Sequence, residues 1–131
     1  MTYYDDKGNI RDKLLNEEAQ QAAAAFVKVQ RPENPIKSAQ LRRFFGEYKG
    51  LQRKLDQMQG NRQENFLSIK PLVKMGKAKV AYAKARKVVP GSFVSWLQNH
   101  VDTIETVEDF DAFLLHFEAC VGFCYGEGLK D

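Results

Sequence analysis

The sequence predicts an all-α protein, a compact single-domain antiparallel bundle of five to six helices spanning residues 1–131. Three observations carry that prediction. Apolar residues recur every three or four positions through most of the chain, which is the repeat of a helix with one buried face. No segment alternates with the period of two that marks a half-buried strand. The Pro- and Gly-marked interruptions are short, so successive helices must double back on one another. A chain of this length suits one domain and can bury a core without disulfide or metal staples.

Residues 1–9 are polar and acidic, with a turn-like Lys7-Gly8-Asn9, and are expected to form a flexible N-terminus. They do not have the composition of a secretory signal. A first helix is expected from about residue 10 to 29, with Leu15, Ala19, Ala22, Phe26 and Val29 on its apolar face. Arg31-Pro32-Glu33-Asn34-Pro35 stops it, because proline removes a donor and disfavours helix in the residue before it. The second helix should cover about residues 38–59, with Ser38 as N-cap and a stripe of Leu41, Phe44, Phe45, Tyr48, Leu51, Leu55 and Met58.

Asn61 followed by Glu64 resembles a capping arrangement for the next helix. Pro71 and Gly76 should then divide residues 62–89 into two pieces, or kink one helix near 71–76. Pro90-Gly91 is a stop. Ser92 is placed to cap a short helix through about Thr103, carrying Phe93, Trp96, Leu97 and Val101 on one side. Thr106 and Asp109 have capping-box spacing. The last helix has the cleanest stripe, Phe110, Phe113, Leu114, Phe117, Val121 and Cys124. No run approaches the roughly 18 apolar residues of a membrane span.

The net charge of +3 conceals a segregation. Residues 1–35 carry −1, residues 36–90 carry fourteen Lys/Arg against three Asp/Glu for +11, and residues 91–131 carry −7. Two readings follow: an acidic partner such as nucleic acid for the middle third, or an acidic C-terminal third that folds back and neutralises it. On the second helix Arg42, Lys49 and Arg53 line one flank. Farther on, Lys70, Lys74, Lys77 and Lys84 share a sector if the helix is continuous, and Lys79 and Arg86 form a second row with Tyr82 between them.

A nucleic acid strand needs cations along a track, because each neutralised phosphate releases counterions. Arginine can fork onto a phosphate, and an aromatic ring can stack on a base. A lysine-rich face is often only a solvated surface. Here no Asp or Glu occurs from residue 65 to 90, whereas a solvated helix interleaves charges to gain i,i+4 pairs.

His116, Cys120 and Cys124 share a helix face at metal-like spacing. His116 and Cys124 stand about 12 Å apart along a helix axis, too far for one ion to gather all three. They are read as core, with both cysteines reduced and no metal or cofactor expected. Trp96 is read equally as core or as an interface anchor. No nucleophile elbow, zinc-protease motif or phosphate loop is present. A ribonuclease built on His100 or His116 lacks a positioned partner in the sequence.

Two segments and the last helix resemble a known family. Ser38-Ala39-Gln40-Leu41-Arg42-Arg43-Phe44-Phe45 has the form Ser-x-Gln-Leu/Ile-Arg-Lys/Arg-Phe-Phe/Tyr. The segment from Lys77 to Arg86 has the form Lys-Pro-Lys-Leu-Ala-Tyr-x-x-x-Arg, with Ala78 where the pattern has proline. With Phe110, Phe113 and Phe117-Glu118-Ala119, the chain is similar over about residues 10–126 to the small subunit of the type III-A CRISPR effector, the Csm complex.

The resemblance implies a helical bundle without catalytic activity of its own. It implies copies stacked along guide and target RNA, beside a large polymerase-like subunit and backbone subunits. It further implies RNA contacts at Arg42, Arg43, Lys77, Lys79, Tyr82 and Arg86, in a cytoplasmic ribonucleoprotein with no membrane partner. The alternatives are a protein-interaction scaffold and the analogous type III-B small subunit.

Overall fold

Helix breakers divide the computed structural model, which describes residues 2–131, into seven helical segments: α1 (Asp12–Leu15), α2 (Glu17–Val27), α3 (Ser38–Asp56), α4 (Arg62–Lys74), α5 (Gly76–Ala85), α6 (Gly91–Thr103) and α7 (Val107–Gly126). Segments α1 and α2 are one expected helix interrupted at Asn16, and α4 and α5 meet end to end at Met75. The molecule is therefore an all-α bundle of five helical rods. Among the described residues the only β pairing is an isolated bridge between Tyr4 and Ile10.

Helix α7 is the central rod. Its predicted stripe is buried apart from Val121, which is half-buried, and Ala112, His116 and Cys120 add a second buried row at i, i+4 and i+8. A helix buried on two faces must be covered from several sides. Here α1, α2, α3 and α4 all pack on α7, while α5 packs mainly on α6. Phe110, Phe113 and Phe117 pack against Phe66, Tyr48, Trp96, Phe93 and Phe45 in mostly tilted or edge-on contacts. These are the geometries favoured by the ring quadrupole.

The ends of α4 and α7 are capped as expected. The Asn61 side chain accepts from Glu64 N–H at 2.9 Å. Thr106 Oγ1 accepts from Asp109 N–H while Asp109 accepts from Thr106 N–H, a complete capping box. Two other expected caps are not formed. Ser38 is the first residue inside α3, with Lys37 at the cap, and Ser92 lies inside α6 and donates to the Ala25 carbonyl instead. Pro71 sits within α4; the break comes four residues later at Met75, and the next residue, Gly76, packs against the Tyr48 ring. Segment α5 stops at Ala85, short of Pro90, because Lys87 adopts a left-handed conformation with φ 63°.

The N-terminal segment expected to be flexible makes two contacts with the bundle. Tyr3 is buried and its hydroxyl lies 2.8 Å from His100 Nδ1, while Tyr4 donates its hydroxyl to the Glu108 carbonyl. Met1 lies outside the described residues. Polarity alone did not reveal that two adjacent tyrosines could anchor an otherwise acidic segment. The same region explains the row read as core. Trp96 Nε1–H can only donate, so His116 Nε2 accepts from it and His116 Nδ1–H donates to the Leu14 carbonyl at 2.6 Å. That carbonyl belongs to the last turn of α1, just before the break at Asn16. Cys120 and Cys124 are fully buried free thiols, and burial pushes Cys124 up to about 12. Trp96, surrounded by Phe26, Phe93 and Phe117, belongs with the core aromatic cluster, although its edge is half-exposed.

Candidate nucleic-acid interface

Helices α3 and α5 approach each other across Gly76, which has no side chain to hold them apart. Beside that contact they enclose a groove of about 220 Å³, lined among others by Arg43, Phe44 and Glu47 from α3, Lys79 and Tyr82 from α5, and Arg86 at the C-terminal cap of α5. Positions 43 and 47 share one face of α3, and 79 and 82 share one face of α5, which the cap residue 86 continues with αR backbone. Phe44, buried, forms part of the floor. Tyr82 is 63% exposed, a large ring left in water. The Arg86 guanidinium carbon stands 5.7 Å from the centre of that ring, within cation–π range.

Glu47 sits between the two helices. Its Oε1 accepts from Arg43 Nε at 3.3 Å and its Oε2 from Lys79 Nζ at 3.2 Å. Sequence reasoning passed over this residue. The signal available was that it is the only acid in α3 before Asp56, four residues after Arg43.

The other cations named from the sequence are not in this groove. Arg42 points the other way, with its guanidinium 3.7 Å from Asp131. Lys49 donates to Gln52, which donates to Asp111 of α7, so this flank of α3 faces the acidic third of the chain. Arg53 is exposed on the C-terminal half of α3. Lys70 and Lys74 both pair with Glu105, and Lys77 pairs with Asp102 at 2.7 Å. Lys84 leaves the sector expected for it and pairs with Glu33. The fold-back reading therefore holds for one edge of the basic middle, where α6 and the loop after it supply the acids. Among the described residues that line the groove, Glu47 is the only acid.

The family model for Csm2 Type III-A matches residues 11–126, a span that contains all seven helical segments. The chain belongs to that family. It is thus a small subunit of the type III-A CRISPR effector, the Csm complex. No curated protein and no solved structure matches the chain.

In this Csm2-family bundle the two resemblance segments converge. Arg43 comes from the first, and Lys79, Tyr82 and Arg86 from the second. Their companions Arg42 and Lys77 point elsewhere, because neighbours on a helix are turned by about 100°. Ala78, where the pattern has proline, is an ordinary residue in the first turn of α5. Among the described residues no group of three or more His, Cys, Asp or Glu is placed to hold a metal, and no helix is long and apolar enough to cross a membrane.

Lys74 has a structural job. Its ammonium donates to the Val101 carbonyl at 2.6 Å and the Ile104 carbonyl at 2.8 Å, at the end of α6. A helix end leaves such carbonyls without partners, and a cation there also suits the helix dipole. Lys74→Met should lower stability by about 1–2 kcal/mol. Urea denaturation reads this directly, and an unchanged midpoint would mean that water replaces the ammonium without loss.

Proposed function

We propose that this Csm2-family subunit is a non-catalytic RNA-binding protein that holds the phosphate backbone of RNA along the α3/α5 groove. The observation that carries the reading is the convergence of Arg43, Lys79 and Arg86 beside the exposed Tyr82. Three cations spaced along a concave track suit successive phosphates. Arginines at two of the three positions can each fork onto one phosphate. Guide and target RNA are the partners this chemistry fits within the effector complex, with contacts made mainly to phosphate and sugar.

Copies of the subunit stack along the RNA beside the large polymerase-like subunit and the backbone subunits, in the cytoplasm. The cations outside the groove have lesser parts: Arg42, Lys49 and Arg53 add diffuse attraction, while Lys70, Lys74, Lys77 and Lys84 mainly hold the bundle together through Glu105, Asp102 and Glu33.

The test is fluorescence anisotropy with labelled single-stranded RNA at several salt concentrations. The variant Arg43→Glu/Lys79→Glu/Arg86→Glu should bind roughly 10- to 100-fold more weakly, with a log–log salt slope shallower by about 2. Lys70→Glu, made as a comparison on the paired edge, should change affinity far less. Unchanged affinity in the triple variant would sink the RNA reading and leave a protein-interaction scaffold.

A further inference from the structure

The groove has two features that a phosphate track does not require. It is a concavity rather than a ridge, and an acid stands in the middle of its cations. Phosphate oxygens would be repelled by Glu47, so the carboxylate must face some other part of the ligand. The volume of about 220 Å³ lies below the roughly 300–1,000 Å³ of sites for drug-sized molecules. The floor includes the Phe44 ring and the rim holds the Tyr82 ring, so the seat suits one flat, unsaturated group.

We infer that the α3/α5 groove seats one unstacked nucleobase of single-stranded RNA, and that Glu47 selects guanine. This rests on the RNA reading above and adds a base-edge reader to it. The base stacks on Tyr82, and the adjoining phosphates lie on Arg86 and on the cations at the rim. The Watson–Crick edge faces Glu47. A carboxylate only accepts hydrogen bonds. Guanine alone offers it two adjacent donors, N1–H and the N2 amino group. Adenine and cytosine each set a ring-nitrogen acceptor beside their amino donor, and uracil flanks its single N–H with two carbonyls.

Arg43 and Lys79, which hold Glu47 at 3.3 and 3.2 Å, fix the carboxylate in place without consuming all of its acceptor capacity. Gln40, one turn before Phe44 on the same groove wall, can serve the remaining polar edge of the base. The sequence preference is confined to this one nucleotide, and the rest of the track remains tolerant of sequence.

The experiment uses the full chain and four 12-nucleotide RNAs: all-uridine, and the same strand with a single central guanosine, adenosine or abasic residue. Affinity is read by competition against one labelled strand at fixed salt. The guanosine strand should bind roughly 5- to 100-fold more tightly than the abasic strand, with adenosine and uridine between them. Tyr82→Ala should remove most of the difference between guanosine and abasic strands. Glu47→Gln should erase the preference for guanosine over adenosine, while binding of the abasic strand rises as Arg43 and Lys79 lose their acidic partner. Tyr82 and Glu47 are both exposed, and circular dichroism checks that each variant keeps its helices.

If all four strands bind alike, yet binding still falls with Arg43→Glu/Lys79→Glu/Arg86→Glu, the base seat is overturned and the phosphate track stands. A preference for any base other than guanine overturns the assignment to Glu47. Absence of binding to every strand overturns both.

Discussion

Gly76→Ala should destabilise the bundle by about 3 kcal/mol. A Cβ at position 76 would stand 1.8 Å from Tyr48 Oη and 3.0 Å from Tyr48 Cζ. The ring cannot swing away cheaply. It is only 4% exposed, it packs edge-on against Phe113 at 5.5 Å, and its hydroxyl donates to the Val73 carbonyl at 3.0 Å. Relief must come from parting α3 from the α4–α5 junction, which opens the core. Tyr48→Phe removes the colliding oxygen at the cost of one hydrogen bond, about 1 kcal/mol. The double variant Gly76→Ala/Tyr48→Phe should therefore lose less stability than the two single changes added together, by about 1–2 kcal/mol. Urea denaturation of the four proteins measures the coupling. Strict additivity would show that the methyl group is accommodated elsewhere. Because the same contact sets the distance between α3 and α5, Gly76→Ala should also weaken RNA binding by any molecule that remains folded.

The second large effect is acid sensitivity. His100 and His116 are both buried, with ring centroids 4.8 Å apart. Burial, reinforced by the neighbouring His116 ring, pushes His100 down to about 3. Burial also lowers His116, against the opposing pull of its bond to the Leu14 carbonyl and of Glu18. In the unfolded chain each imidazole titrates near 6.5. Above that value neither state takes up a proton, and the contribution to stability is complete. Below it the unfolded chain binds protons that the folded core refuses, and stability falls until the pH reaches the folded value. At pH 5 His100 alone should remove about 2 kcal/mol, with His116 acting in the same direction.

Paired carboxylates such as Glu18, held low by Arg11, add their loss only at lower pH, below the ordinary carboxylate range. Denaturation at pH 8, 6.5 and 5 should show a flat region followed by a decline, and His100→Gln should flatten the decline. A constant midpoint across this range would mean that the rings protonate in place.

The parts of the fold legible in the sequence were those decided locally. The α7 stripe and the Thr106–Asp109 box depend only on residues within one or two turns, and both are formed as read. Ser38 and Ser92 were misread because a serine before an apolar run looks the same whether it stands at the cap or one residue inside the helix. For Ser92 the deciding partner, the Ala25 carbonyl, is distant in sequence. The docked N-terminus was invisible for the same reason: Tyr3 meets His100 across 97 positions.

The eleven residues singled out for RNA contact divide by tertiary approach, which charge counting cannot supply. Lys74 and Lys79 read alike as lysines in an acid-free segment. One finds the end of α6 and the other the groove, because they leave the rod in different directions. The acid-free stretch was a sound signal of an unusual surface. It could not say that α6 and the following loop would bring their own acids to one side of it.

The position of α7 has a consequence for how the molecule comes into being. The last long helix in sequence is the one on which α1, α2, α3 and α4 all rest. While the chain is being synthesised from its N-terminus, the earlier helices can pack on one another, but the faces of α1, α2, α3 and α4 that rest on α7 stay open until it emerges. Contacts between the two ends of the chain also raise its contact order above that of a bundle whose helices meet only their sequence neighbours, and such closure slows folding. Phe26 and Phe44 gain ring partners on α6, but Phe66 waits for Phe110 of α7, so the nascent chain carries part of its core face open until α7 emerges.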